Sequence, residues 1–137
     1  MTDRTEALSS PISPDDLGKL VWAILHSRFP HESFTVRSQQ ISVLATIHRY
    51  ASAGQLINRT ALMEELGIQR TTADNLVKLM ESRGVLFRDR ARGRHMPGRP
   101  IDLYIHSDAL EAFLKAHHRQ TKRTISFDLG KSRSQVL

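Results

Sequence analysis

The chain of 137 residues contains no cysteine. That absence removes disulfides, thiolate zinc sites and a cysteine nucleophile together, and it fits a reducing cytoplasm. No apolar run approaches the length needed to span a bilayer. The opening stretch MTDRTEALSSPISP lacks the apolar segment of a secretory signal, so a soluble cytoplasmic protein is expected. There is no internal repeat. Glycine-rich phosphate loop, nucleophile elbow, carboxylate pair and triad spacing are all missing, so nothing supports catalysis and the chain is read as a non-enzyme. The seven histidines are scattered apart from His117-His118. None falls in the i, i+4 or converging pattern of a metal site, so neither metal nor cofactor is expected.

Acidic residues are the minority, 14 Asp+Glu against 20 Lys+Arg, for a formal net charge of +6. Such a balance favours a polyanionic partner. The charge is also segregated. Arg83, Arg88, Arg90, Arg92, Arg94 and Arg99 fall in one run opposed only by Asp89, while the first forty residues are close to neutral. A second basic run, from Lys115 to Arg133, occupies the C-terminal end. Hydrophobic content of 39% and charged content of 25% are ordinary for one globular domain of this length.

Taken in order, residues 1–12 read as a mobile arm. Ser13-Pro14-Asp15-Asp16 is a helix start, with a capping serine, proline at the first position and acids in the first turn. Leu17, Leu20, Val21, Ile24 and Leu25 follow at helical spacing, and Phe29-Pro30 is the expected stop. His31 to Arg37 reads as a connector. Ser38 is the expected cap of a second helix carrying Ile41, Leu44 and Ile47, which ends at Gly54. Gln55 to Asn58 suggests a short extended piece.

Thr60 to Leu66 reads as a helix closed by Gly67. A further helix follows, with Ala73, Leu76, Val77 and Met80 on one side and a capping box expected from Thr71 to Asp74. Gly84 ends it. Val85-Leu86-Phe87 and Ile101 to Ile105 read as strands flanking a polar, arginine-rich loop. Ser107-Asp108 caps a last helix with Leu110, Phe113, Leu114 and His117 on one side, and residues 124–137 read as a flexible tail.

Helix, turn, helix and hairpin in that order predict a winged helix-turn-helix: mainly α with a small β-hairpin wing, flanked by N- and C-terminal helices. The expected single domain covers 13–123, with a DNA-binding core at 38–106 and candidate dimerisation helices at 13–30 and 107–123. The polar side of the second helix of the pair carries Arg70, Thr71, Thr72, Asp74, Asn75 and Lys78, side chains able to reach base edges and phosphates. Asp74 repels phosphate but is able to accept from a cytosine amino group. The loop supplies Arg88, Arg90, Arg92, Arg94, His95 and Arg99 for the backbone or the minor groove. Leu17, Leu20, Ile24, Leu110, Phe113 and Leu114 form the candidate dimer surface. Trp22, beside the apolar stripe, reads as a core or interface aromatic.

Three segments carry a resemblance to the MarR (multiple antibiotic resistance regulator) family. Gln40-Ile41-Ser42-Val43-Leu44 resembles its Gln-Trp-x-Val-Leu. Ala61 to Ile68 resembles its Glu-Leu-Ala-Glu-x-Leu-Gly-Val, and Leu79 to Leu86 its Leu-x-Glu-x-Gly-Leu-Ile. The matches cover roughly residues 36 to 115. The family's Asp-x-Arg-Arg at the wing tip is replaced by Gly98-Arg99-Pro100 followed by Tyr104, similar to a wing found in several winged-helix regulator families. The terminal helices also look shorter than the pair that dimerises MarR proteins. The resemblance implies a homodimeric transcriptional regulator, a repressor by expectation, that reads double-stranded DNA and has room for a small-molecule effector. The competing reading is a winged-helix protein-interaction module without DNA binding, since both need the same core. The polar helix face and the arginine-rich loop favour DNA.

Overall fold

The computed structural model describes residues 12–89 and 102–121. In chain order the elements are α1 (Pro14–Leu25), α2 (Phe34–Ser52), β1 (Ile57–Asn58), α3 (Arg59–Leu66), α4 (Arg70–Ser82), β2 (Leu86–Asp89), β3 (Asp102–Ile105) and α5 (109–121). The strands form one antiparallel sheet in the order β1-β3-β2. Helices plus this small sheet make the expected winged helix-turn-helix. No helix among the described residues is long and apolar enough to cross a membrane.

Helix α1 starts as its sequence predicts: Ser13 Oγ accepts from the Asp16 amide at 3.1 Å, with Pro14 in the first turn. It ends at Leu25, earlier than the expected stop at Phe29-Pro30. Ending there frees Phe29 to turn inward, where it is buried edge-on against Phe113 at 5.6 Å.

Helix α2 begins four residues before the expected cap. Ser33, not Ser38, is the N-cap, accepting from the Val36 amide at 3.3 Å. Ser38 lies inside the helix, where its carbonyl accepts from Ser42 Oγ. Most of the supposed connector is therefore the first turn of α2. This helix runs through the domain and buries Gln40, Val43, Leu44 and Ile47.

Asn58 closes β1 and caps α3, its Oδ1 accepting from the Ala61 amide at 2.9 Å. Gly67 then adopts φ 63°, the left-handed turn that separates α3 from α4. Helix α4 starts at Arg70 behind Gln69, which makes no side-chain cap bond. The expected capping box from Thr71 to Asp74 does not form, because both residues are already inside the helix. Ala73, Leu76, Val77 and Met80 are buried.

At the exit, Gly84 has φ 74°, and a Cβ there would lie 3.0 Å from the Ala112 Cβ of α5. Two constraints thus require glycine at that position. The strands β2 and β3 pair from Leu86↔Ile105 to Asp89↔Asp102. The core gathers Leu20 and Ile24 from α1, the α2 stripe, Ile57, Leu62, the α4 stripe, Leu86, Leu103 and Phe113.

Candidate nucleic-acid interface

Burial of Ala73, Leu76, Val77 and Met80 fixes the rotation of α4 about its own axis. The opposite side is therefore turned outward, and Arg70, Thr71, Asn75 and Lys78 line it, with Thr72 and Asp74 half-buried beside them. Thr71, Asn75 and Lys78 follow one another at i, i+4, i+7 and so share one strip of the helix. Cations and hydrogen-bonding side chains are held together on a single rigid face.

The acids of α4 are paired away. Arg59 Nη1 donates to Asp74 Oδ1 at 2.8 Å, while Arg70 Nε stands 4.0 Å from Asp74 Oδ2. Arg88 Nε donates to Glu81 Oε1 at 2.8 Å. Arg88 was expected among the wing cations. It is instead held against α4, with 26% of its side chain exposed. The other wing residues, Arg90, Arg92, Arg94, His95 and Arg99, lie outside the described residues.

Arg83 also leaves the basic run. Its guanidinium donates to Glu32 and, at 3.1 Å, to Gln40 Oε1, and it lies 3.6 Å over the Phe29 ring. Gln40 Nε2 donates to Glu32 Oε1 at 2.8 Å, closing a buried three-residue network. The network ties the exit of α4 to α2 and to the loop between α1 and α2. Gln40, which carried part of the family resemblance, is thereby a structural residue of the core.

The expected dimer surface divides in two. Leu20, Ile24 and Phe113 are 0–1% exposed, packed inside the protein's own core. Leu17 and Leu110 pack partly against that core, while Leu114 is 49% exposed. Trp22, read as a core or interface aromatic, is not in the core: it is 66% exposed and leans on His26. These burials follow from short terminal helices that cover the three-helix core themselves.

His117 packs as its place on the apolar stripe suggested. Its Nε2 accepts from the Arg28 amide at 2.8 Å, and its ring meets Phe29 edge-on at 5.1 Å. Burial, and then the nearby Arg83 charge, push its pKa below the usual histidine value. At the far end of α2, the Tyr50 hydroxyl donates to Glu65 of α3, a bond that raises the tyrosine pKa. Among the described residues no cluster of His, Asp and Glu is disposed to hold a metal ion. A cavity of about 570 Å³ lies between the α1–α2 loop, the exit of α4 and α5, lined by Phe29, His31, Leu79, Arg83, Ala116 and Arg119 among others.

Arg59 had no signal in the sequence, because its partner Asp74 lies fifteen positions away across the turn of the helix pair. Glu32 was equally silent, its arginine being 51 positions distant.

No protein-family description matches the chain, and no curated protein matches it. Among solved structures, a cysteine-to-serine mutant of Lactococcus lactis ZitR aligns over 88% of this chain and 80% of its own, at 16% identity and a TM-score of 0.44. A likeness at that score and identity assigns neither family nor function.

Proposed function

We propose that the protein is a sequence-specific, double-stranded DNA-binding transcriptional regulator that inserts α4 into the major groove. One observation carries this reading. The outward face of α4 presents Arg70, Thr71, Asn75 and Lys78, while both of its acids are engaged by arginines from outside the helix. Arginine and lysine suit phosphates and guanine, and asparagine suits adenine.

The wing completes the reading. Residues 90–101 join the two paired strands beyond Asp89 and Asp102, and they carry Arg90, Arg92, Arg94, His95 and Arg99. The proposed role of these cations is to hold the backbone or enter the adjacent minor groove, where the potential is most negative. The MarR resemblance of the helix-pair motifs supports repression and a homodimer reading two half-sites about one helical turn apart. On the described parts of the terminal helices, Trp22 and Leu114 are exposed and Leu17 and Leu110 half-covered, so these side chains remain open to such an interface. The cavity beside Arg83 and Arg119 is where a small-molecule effector would be sought, since it adjoins the recognition helix itself.

Selection of bound fragments from a random duplex pool tests DNA binding, base preference and symmetry in one experiment. A repeated-half-site consensus supports the reading. A pool that shows no enrichment refutes it.

A further inference from the structure

Helix α4 contains two acids, and the two ion pairs that engage them lie in different places. Glu81 lies near the exit of the helix, bonded to Arg88 of β2. Asp74 lies one turn before Lys78 and beside Asn75, so its half-buried charge borders the row that faces outward. Its side chain is 30% exposed, and Arg59, the first residue of α3, is 37% exposed. The Arg59 Nε is buried with no hydrogen-bond partner among the described residues. The stem of Arg59 is thus enclosed, while Nη1 reaches across to Asp74 Oδ1.

We propose that Arg59 determines DNA affinity through Asp74, by cancelling the carboxylate that the recognition helix would otherwise turn toward the phosphates. The inference rests on the DNA-binding reading above. Asp74 is then no base reader, because Oδ1 is occupied by Arg59 and Oδ2 is turned toward Arg70. Without Arg59 the carboxylate keeps only the distant Arg70 Nε, at 4.0 Å; its charge is screened by salt but not abolished, and its repulsion weakens binding by roughly tenfold.

The test compares wild type, Arg59→Gln, Asp74→Asn and the double variant on a duplex enriched from the random pool and on a scrambled duplex, at several salt concentrations. Arg59→Gln is expected to bind both duplexes roughly tenfold more weakly. The double variant is expected to return to within roughly threefold of wild type, because no bare carboxylate remains. That rescue separates the proposal from a merely structural bridge, since the double variant lacks the α3–α4 contact as fully as the single one does. Asp74→Asn is expected to keep the base preference and to steepen the salt dependence by about 0.9, as the released Arg59 charge displaces one more counterion. This last readout holds even if Arg59→Gln does not fold.

Wild-type affinity in Arg59→Gln, a double variant no better than Arg59→Gln, or an altered base preference in Asp74→Asn each overturns the inference. An unchanged salt slope in Asp74→Asn overturns it as well. A wild-type protein that binds no duplex removes the DNA-binding reading and the inference together; DNA binding without rescue removes the inference alone.

Discussion

Replacing Arg83 with methionine removes the cation from the Glu32–Gln40–Arg83 network while retaining much of the side-chain bulk over Phe29. The side chains of Arg83 and Glu32 are 9% and 5% exposed, so water has little access to either charge. After the substitution the Glu32 carboxylate keeps only the Gln40 amide, at 2.8 Å. Removing one partner from a buried pair costs about 3–5 kcal/mol, because the remaining charge stays desolvated. The contact of the guanidinium with the Phe29 ring, about 2 kcal/mol for a desolvated cation–π pair, falls within that sum. Against a total stability of about 5–15 kcal/mol, Arg83→Met should leave the protein marginal. Urea unfolding followed by circular dichroism reads the loss directly. Adding Glu32→Gln should recover a large part of it, because the bare charge is then gone. A loss in Arg83→Met below about 1 kcal/mol would refute the reasoning.

Other consequences are as direct. Gly84→Ala combines a left-handed backbone with a Cβ 3.0 Å from Ala112, so it should cost about 1–3 kcal/mol in the same unfolding assay. Ser33→Ala should cost about 1 kcal/mol while Ser38→Ala stays within about 0.5 kcal/mol, which locates the true start of α2. The pKa of His117 is lowered in the folded protein, so the unfolded chain takes up its proton first. The contribution of His117 to stability is therefore complete above the unfolded value of 6.5 and is lost as the pH falls from there toward the folded value. Thermal unfolding from about pH 8 to about pH 5 should show this fall, and His117→Gln should flatten it.

What could be read from the sequence depended on how local its cause was. The stripe Ala73, Leu76, Val77 and Met80, the left-handed glycines at 67 and 84 and the Ser13 cap act within one or two turns, and each appears where its pattern implied. The start of α2 misled because Ser33 and Ser38 are both competent caps; the bonds of Glu32 to Gln40 and Arg83 fix the chain just before Ser33 and favour the earlier one. The outward face of α4 was legible, since helical spacing alone sets it opposite the buried stripe. Which charges remain available was not. Arg88, Arg83 and Asp74 are each neutralised by a partner from another element, and composition counts them as open. The terminal helices misled for a related reason. A strong apolar stripe shows that a face must be covered, and here α1 and α5 cover much of theirs within the same chain, through Leu20, Ile24 and Phe113.

The most direct measurement is equilibrium binding of the enriched duplex by fluorescence anisotropy, repeated across a salt series alongside a scrambled duplex. Binding should tighten as salt falls, log K declining linearly with log salt by about 0.9 per phosphate engaged. The enriched duplex should be preferred by about a thousandfold or more, and Asn75→Ala should erode that preference without changing the slope. Salt-independent binding, or equal affinity for both duplexes, would contradict a recognition helix that reads DNA through Arg70, Thr71, Asn75 and Lys78.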